Sequence, residues 1–428
     1  MIDKNNLPPS WTVAKFEDLL DYIQPTEYIV ASTEYDDNYK TPVLTAGKSF
    51  IKGYTNETNG IFDALPVIIF DDFTTATQFV NFPFKVKSSA MKILKPTSDL
   101  VNIKLAYYFM QTVHLKSDTH KRYWISEYSK LSIPLPPSKE LQRIFEKLEE
   151  LFTNLDKGIE NLRTAQQQLK VYRESVLKWA FEGKLMNDNL NGALPKGWKW
   201  TTLGEVAKKK SVKALPSDLP DAKFIGMNCI EANAMKPSFF YKFSEFKSAG
   251  NYFEEGQVLY GRMRPYLNKV YKAEIDGTCS GEFIILQCTE DFNADLLKYI
   301  LHSREFVSFA NHKTTGDRPR ISYEEISDYP IAKPPFKELT KVVNEIESRL
   351  SVCDKIEEAI EHSLQQAEAL RLSIIKKAFE GKLTKQNPKD EPAQKLLERI
   401  RAEKKKNNPD KPEKEVKIKT SKKKKELA

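Results

Sequence analysis

Several short stretches carry residue types that could do chemistry. Gly47-Lys48-Ser49 has the end of a phosphate-binding loop, but Pro42 stands where such a loop needs its first glycine, so the cradle of backbone N–H groups is missing. Lys333-Pro334-Pro335-Phe336 is one residue from the Asn/Asp-Pro-Pro-aromatic motif with which amino-methyltransferases hold a target amine. A lysine has only donors and cannot accept that amine's hydrogen bond. No glycine-rich turn for a nucleotide-like cofactor precedes it, so a proline stop ahead of a helix is the favoured reading. Asp71-Asp72 follows the strand-like run Val67 to Phe70, and adjacent carboxylates at a strand end can bind divalent ions. Consecutive strand residues point to opposite faces, and no further acidic cluster is within obvious reach, which favours a solvated or turn-forming pair. The five histidines (His114, His120, His302, His312, His362) show neither HxxxH nor HExxH spacing, and Cys229, Cys279, Cys288 and Cys353 form no CxxC pair. No catalytic constellation, metal site or disulfide framework is defined.

With no chemistry to anchor a reading, organisation carries the argument. The chain has 428 residues and 40% hydrophobic composition, enough for ordinary cores in two to four domains. Its formal net charge is +8, yet residues 386–428 hold 15 Lys and Arg against eight Asp and Glu, so the remainder is close to neutral. Met1-Ile2-Asp3-Lys4-Asn5-Asn6 lacks the order of a secretory signal, and no apolar run approaches the roughly 20 residues of a membrane span. A reducing cytoplasm fits best.

The chain reads as two copies of one unit. Leu7-Pro8-Pro9-Ser10-Trp11 recurs as Leu194-Pro195-Lys196-Gly197-Trp198, and Pro136-Pro137 with Lys139-Glu140-Leu141 recurs as Pro334-Pro335 with Lys337-Glu338-Leu339. From there to Ala180-Phe181-Glu182-Gly183-Lys184-Leu185 and its twin Ala378-Phe379-Glu380-Gly381-Lys382-Leu383, the copies run without a gap and 20 of 50 positions are identical. The preceding segments, Thr12 to Ile133 and Lys199 to Ile331, align only loosely and differ by 11 residues in length.

Heptad spacing marks the registered part as a long helix: Leu141, Phe145, Leu148, Phe152, Leu155, Ile159 and Leu162 in one copy, and Leu339, Val343, Ile346, Leu350, Ile360 and Leu364 in the other. Burial of each large apolar side chain stabilises by roughly 1.5 to 3 kcal/mol, so the two stripes should pack on each other. About 40 residues would make a rod of about 60 Å. Gln166, Arg173, Glu357 and Arg371 interrupt the stripe, either as tolerated polar positions or as residues that fix register. Gly183 and Gly381 fit helix stops. Strand signals (Val67 to Phe70, Phe84 to Val86, Val258 to Tyr260, Glu282 to Leu286) and helical stretches near 105–111 and 294–309 make each variable segment a mixed α/β body. The expected fold is α+β: two mixed α/β domains joined by two long helices packed as an antiparallel coiled coil, with a pseudo-two-fold internal repeat. The expected divisions are residues 1–137, 138–186, 187–335 and 336–385, with 386–428 as a short helix (391–405) and a lysine-rich tail.

This arrangement resembles the DNA specificity subunit of Type I restriction-modification systems. Thr41-Pro42-Val43-Leu44-Thr45-Ala46-Gly47-Lys48, Arg262-Met263-Arg264-Pro265-Tyr266-Leu267-Asn268-Lys269, and Asp390-Glu391-Pro392-Ala393 leading into Leu396-Leu397-Glu398-Arg399-Ile400 add to the likeness, which covers nearly the whole chain. The resemblance implies a non-catalytic protein whose two variable bodies are target-recognition domains. Each would read one half of a bipartite sequence in double-stranded DNA. It implies two adenine-methyltransferase subunits as partners, joined by restriction subunits with translocase activity. It implies no cofactor on this chain, with S-adenosylmethionine, ATP and Mg on the partners. The long lysine tail departs from the family pattern. The rival reading is a coiled-coil protein-protein adaptor without nucleic-acid binding.

Under this resemblance the candidate DNA-contacting residues are polar or basic and lie in loops. Arg262 and Arg264 flank Met263 after a strand, and an arginine fork matches guanine O6 and N7. Asn268 suits adenine, and Lys269 suits phosphate or guanine. Lys121, Arg122 and Tyr123 match the place of Arg318, Arg320 and Tyr323 in the second copy. Lys48, Thr74 and Thr75 complete the set.

Overall fold

The computed structural model describes residues 7–47, 49–113, 122–185 and 193–407. The first copy begins with β1 (Thr12–Lys15), the helical turn α1 (Phe16–Leu19) and β2 (Leu20–Ile23). It continues through β3 (Thr41–Leu44), β4 (Ile51–Thr55), β5 (Val67–Asp71), β6 (Thr77–Val80), β7 (Lys85–Val86) and β8 (Met91–Pro96). It closes with α2 (Ile103–Met110), α3 (Tyr123–Ser126), β9 (Ser132–Leu135) and the long helix α4 (Ser138–Phe181). The second copy runs β10 (Lys199–Thr202), α5 (Leu203–Val206), β11 (Ala207–Lys210), β12 (Val212–Ala214), β13 (Lys223–Ile225), β14 (Tyr241–Lys242), β15 (Gly250–Phe253), β16 (Val258–Gly261), β17 (Val270–Lys272), β18 (Gly277–Cys279) and β19 (Phe283–Cys288). It ends with α6 (Ala294–His302), α7 (Arg304–His312), α8 (Tyr323–Ile326), β20 (Pro330–Lys333) and the second long helix α9 (Phe336–Phe379), and α10 (Ala393–Asn407) follows.

Each copy holds a four-stranded sheet, ordered β2-β8-β5-β6 or β11-β19-β16-β17, and a second sheet, ordered β4-β3-β7 or β12-β15-β18-β13-β14. The central strands are apolar on both faces because two cores need them. Ile68 and Phe70 of β5 face the helices while Val67 and Ile69 face the second sheet, and Val258 and Tyr260 of β16 divide from Leu259 in the same way. The stretch 294–309 is two helices rather than one: Ser303 adopts an extended backbone (φ −67°, ψ 152°) and its hydroxyl caps the second by accepting from the Phe306 N–H.

Two compact units result, residues 1–159 with 365–428, and residues 160–364, so each unit takes half of one long helix and part of the other. In the first unit, Ile144, Phe145, Leu148 and Phe152 of α4 share a core with Ile374, Ile375, Ala378 and Phe379 of α9. In the second, Val176, Leu177 and Ala180 share one with Leu339, Val342, Val343 and Ile346. The start of each helix meets the end of the other, which is antiparallel packing. Two of the polar interruptions tie the helices together. Arg173 pairs with Asp354 (2.7 Å) and Glu357 (2.8 Å) in the second unit, and Arg371 pairs with Asp156 in the first. Asp156 and Asp354, like Arg173 and Arg371, are equivalent positions in the repeat, so the same ion pair is made twice.

The repeated Leu-Pro-x-x-Trp opening is explained in the same terms. The Trp11 indole N–H donates to Glu140 at 3.0 Å, and that of Trp198 donates to Glu338 at 3.0 Å. These tie the start of each body to the first turn of its own long helix. Gly183 and Gly381 end the helices with φ +74° and +69°, the left-handed conformation that favours glycine. In the first unit α10 packs Leu396, Leu397 and Ile400 into the core, its Ala393 N–H donates to Ser10 O (2.9 Å), and Arg401 grips Asp18 with two hydrogen bonds. Burial, the largest influence, would raise the Asp18 pKa, but the hydrogen bonds from Arg401 and the Lys15 N–H, together with the charges of Arg401 and Lys404, more than offset it and hold the carboxyl below its ordinary value.

Candidate nucleic-acid interface

The two bodies build one scaffold from different residues. After β5, the Asp72 N–H donates to Ala90 O (3.0 Å) and the Asp72 carbonyl accepts from the Tyr123 N–H (3.0 Å). After β16, the Arg262 N–H donates to Glu282 O (2.8 Å) and the Arg262 carbonyl accepts from the Ile321 N–H (3.0 Å). Strand register agrees, since Ile68 lies opposite Leu94 and Val258 opposite Leu286. Asp72 and Arg262 are therefore equivalent, and in each body they join the loop after the central strand to the segment entering a short helix.

This equivalence corrects the register read from the sequence. Tyr123 matches Ile321, not Tyr323, and both are core residues; Tyr123 is 1% exposed and belongs to the aromatic core of its unit, so it is not a base reader. Arg122 matches Arg320. Both side chains are exposed, each one residue before the docked position. Lys48 and Lys121 lie outside the described residues.

In the second body Arg264 is exposed, in a left-handed backbone (φ 53°) held by its N–H on Pro319 O (2.8 Å). Arg318 is exposed on the adjoining segment, and Arg320 pairs with Glu282 at 2.9 Å while keeping 55% of its side chain accessible. Arg262 is half-buried. Asn268 and Lys269 are drawn inward instead of outward. The Asn268 amide N–H donates to His302 O (2.9 Å), and the Lys269 ammonium donates to Met227 O (2.7 Å), where burial pushes its pKa down. Both side chains fasten the loop to the body, which is a structural use and not a base-reading one.

In the first body the acidic pair divides its work. The Asp71 carboxylate accepts from the Phe73 and Thr74 N–H groups (2.9 and 3.0 Å) and so shapes the turn that exposes Thr74 and holds Thr75 at φ +59°. Asp72 is buried; it accepts from the Trp124 N–H (2.8 Å) and lies 3.6 Å from the ammonium of Lys92, which donates to Gln24 (2.8 Å). Burial lowers the Lys92 pKa, with Asp72 opposing the shift. Among the described residues no three His, Cys, Asp or Glu side chains group to hold a metal ion, and no described helix is long and apolar enough to cross a membrane. Lys209, Lys210 and Lys213 line one further cavity, and the run Lys208-Lys209-Lys210 belongs to the edge strand β11.

Comparison with known proteins agrees with this architecture. Residues 8–165 match the family model of the Type I restriction modification DNA specificity domain. The Type I restriction enzyme EcoR124I/EcoR124II specificity subunit of Escherichia coli is 43% identical over 202 residues, 44% of this chain and 46% of that subunit, so the match spans about half of that relative. The EcoDI specificity subunit of Escherichia coli is 30% identical over 307 residues, 64% of this chain and 69% of that one. In fold, the chain is similar to one solved in work on complex assembly and conformational transition of the type I R-M system (TM-score 0.65, 16% identity, 88% of this chain and 99% of that one). It is also similar to the HsdS subunit from Thermoanaerobacter tengcongensis (TM-score 0.52, 16% identity, 88% and 98%). With a doubled scaffold, twin helices and a relative matched over more than two thirds of its length, the chain belongs to the family of DNA specificity subunits of Type I restriction-modification systems.

Proposed function

We propose that this subunit reads a bipartite target in double-stranded DNA, one half with each variable body, and directs adenine methylation or restriction by partner subunits. The observation that carries the reading is the equivalence of Arg122 and Arg320: the same exposed cation, at the same point of the same scaffold, in both bodies. The surrounding loops differ in length and residue type, which is what two readers of different sequences require. The chain itself supplies recognition and no catalysis. Two adenine-methyltransferase subunits and restriction/translocase subunits are the partners this role calls for, with S-adenosylmethionine, ATP and Mg held by them. The division into recognition bodies at 1–137 and 187–335, spacer helices at 138–186 and 336–385, and a tail is the corresponding functional map.

The test is a map of methylated adenines in cells carrying the chain and its methyltransferase. A split motif is expected, and replacing residues 12–133 with the variable body of another specificity subunit should change one half of it alone. A continuous motif, or a change in both halves, would refute the assignment.

A further inference from the structure

The equivalence of Asp72 and Arg262 has a sequel inside the second unit. In the first body the ground beneath this position is filled by Lys92, Asp72 and Gln24: Lys92 donates to Gln24 and lies 3.6 Å from the Asp72 Oδ2, a buried oxygen whose partner is this ammonium charge and not a hydrogen bond. In the second body the equivalents are Ile284, Arg262 and Ser211, and the ion pair is replaced by a cavity of about 290 Å³. Lys209, Lys210, Lys213 and Arg262 line it, with Glu324 as the single acidic side chain among its lining residues. The Arg262 Nε is buried without a hydrogen-bond partner, as is the Oδ1 of Asn251 at the same cavity. Of the nearby carboxylates, Glu282 pairs with Arg320 through Oε1 while its Oε2 is buried without a hydrogen-bond partner, and Glu325 accepts from the Ser322 N–H and hydroxyl. Lysines on an edge strand guard against strand pairing, but that use does not call for a cavity or for a buried guanidinium donor left open.

We propose that this cavity holds a backbone phosphate of the DNA. Four cations with one facing carboxylate suit a compact anion, and an arginine fork with flanking ammonium groups matches phosphate oxygens. The inference rests on the DNA-reading role and deepens it: the second body grips the duplex at a point where the first does not, so the two bodies contribute unequally to salt-dependent affinity.

The test is a fluorescence-anisotropy titration of a mixed-sequence duplex with the full chain at several KCl concentrations. Wild type is compared with K209Q/K210Q/K213Q and with K178Q/K341Q/K355Q, a control that removes equal charge from the long helices; matching melting temperatures verify folding. Each neutralised phosphate contributes about 0.9 to the slope of log affinity against log salt. The cavity variant is expected to lose about one unit of slope, with the control unchanged. Unchanged slope in the cavity variant, or equal loss in the control, overturns the proposal. No duplex binding by wild type even at low salt would instead refute DNA reading by the chain itself. In a parallel melting series, stabilisation by inorganic phosphate that the cavity variant loses while its DNA slope stays intact would make the cavity a free-anion site and overturn the DNA assignment.

Discussion

Replacing Lys92 with methionine removes the ammonium from the pair that underlies the loop after β5. The Lys92 and Asp72 side chains are 2% and 3% exposed, so solvent screens neither, and the variant leaves a buried carboxylate whose remaining hydrogen bond is from the Trp124 N–H. Breaking one side of such a pair costs about 3 to 5 kcal/mol, and the 3.6 Å separation argues for the lower end, about 3 kcal/mol. With a urea dependence of about 3 kcal/mol per molar, the midpoint falls by about 1 M. The assay is urea unfolding of the full chain followed by tryptophan fluorescence, to which Trp11 and Trp124 of this unit contribute. Asp72→Asn keeps an acceptor for Trp124 but strands the ammonium, so it should cost a similar amount. The double variant should cost less than either single one, because no buried charge is left. The pH dependence gives a second check. Burial already lowers the Lys92 pKa, and D72N removes the opposing carboxylate. The native state then releases the proton at a pH where the unfolded chain still holds it, so D72N should regain stability as pH rises toward 10. A K92M midpoint equal to wild type, or additive single effects, would refute the reasoning.

Two further outcomes follow from the helices. Burial raises the Glu140 pKa against the hydrogen bonds from Trp11 and Gln386; the stability this group contributes is full below its ordinary value near 4.5 and is lost as pH rises through the elevated one. The melting temperature of Glu140→Gln should therefore climb relative to wild type as pH rises above the ordinary carboxyl value of 4.5, and a constant difference would contradict the assignment. Arg371→Asp, which sets like charges against Asp156, should lower stability by about 1 kcal/mol given the exposure of both groups, and D156R/R371D should restore it. A double variant no more stable than the single one in calorimetry would show that the pair does not set helix register.

The helices were legible because a heptad stripe is a local pattern, and the strands Val67 to Phe70 and Val258 to Tyr260 because an unbroken apolar run needs burial on both faces. What the chain does with its polar residues was not. Nothing local distinguishes Asp71, which shapes a turn, from Asp72, which lies buried against a lysine 20 positions on. Asn268 and Lys269 look like readers until their partners, His302 and Met227, are brought up from 34 and 42 positions away. The match of Tyr123 to Ile321 could not be read from residue type, since it is defined by a backbone hydrogen bond to a strand end, and the aromatic identity of Tyr323 pointed to the wrong partner. Arg122 and Arg320 share one place because each stands, exposed, one residue before the same backbone hydrogen bond.

Because the first unit draws on both ends of the chain while the second is one continuous stretch, the two cannot mature together during synthesis. Residues 160–364 are all available before Ile374 and Ile400 leave the ribosome. Until then Phe109, Phe145 and Leu148 wait without the apolar neighbours that α9 and α10 bring, since the Phe379 ring that packs 4.9 Å from Phe109 is made about 270 residues later. The nascent protein thus carries a sticky, half-built N-terminal body through most of its translation, and a premature stop between Leu364 and α10 leaves that body, not the one nearest the break, unfinished.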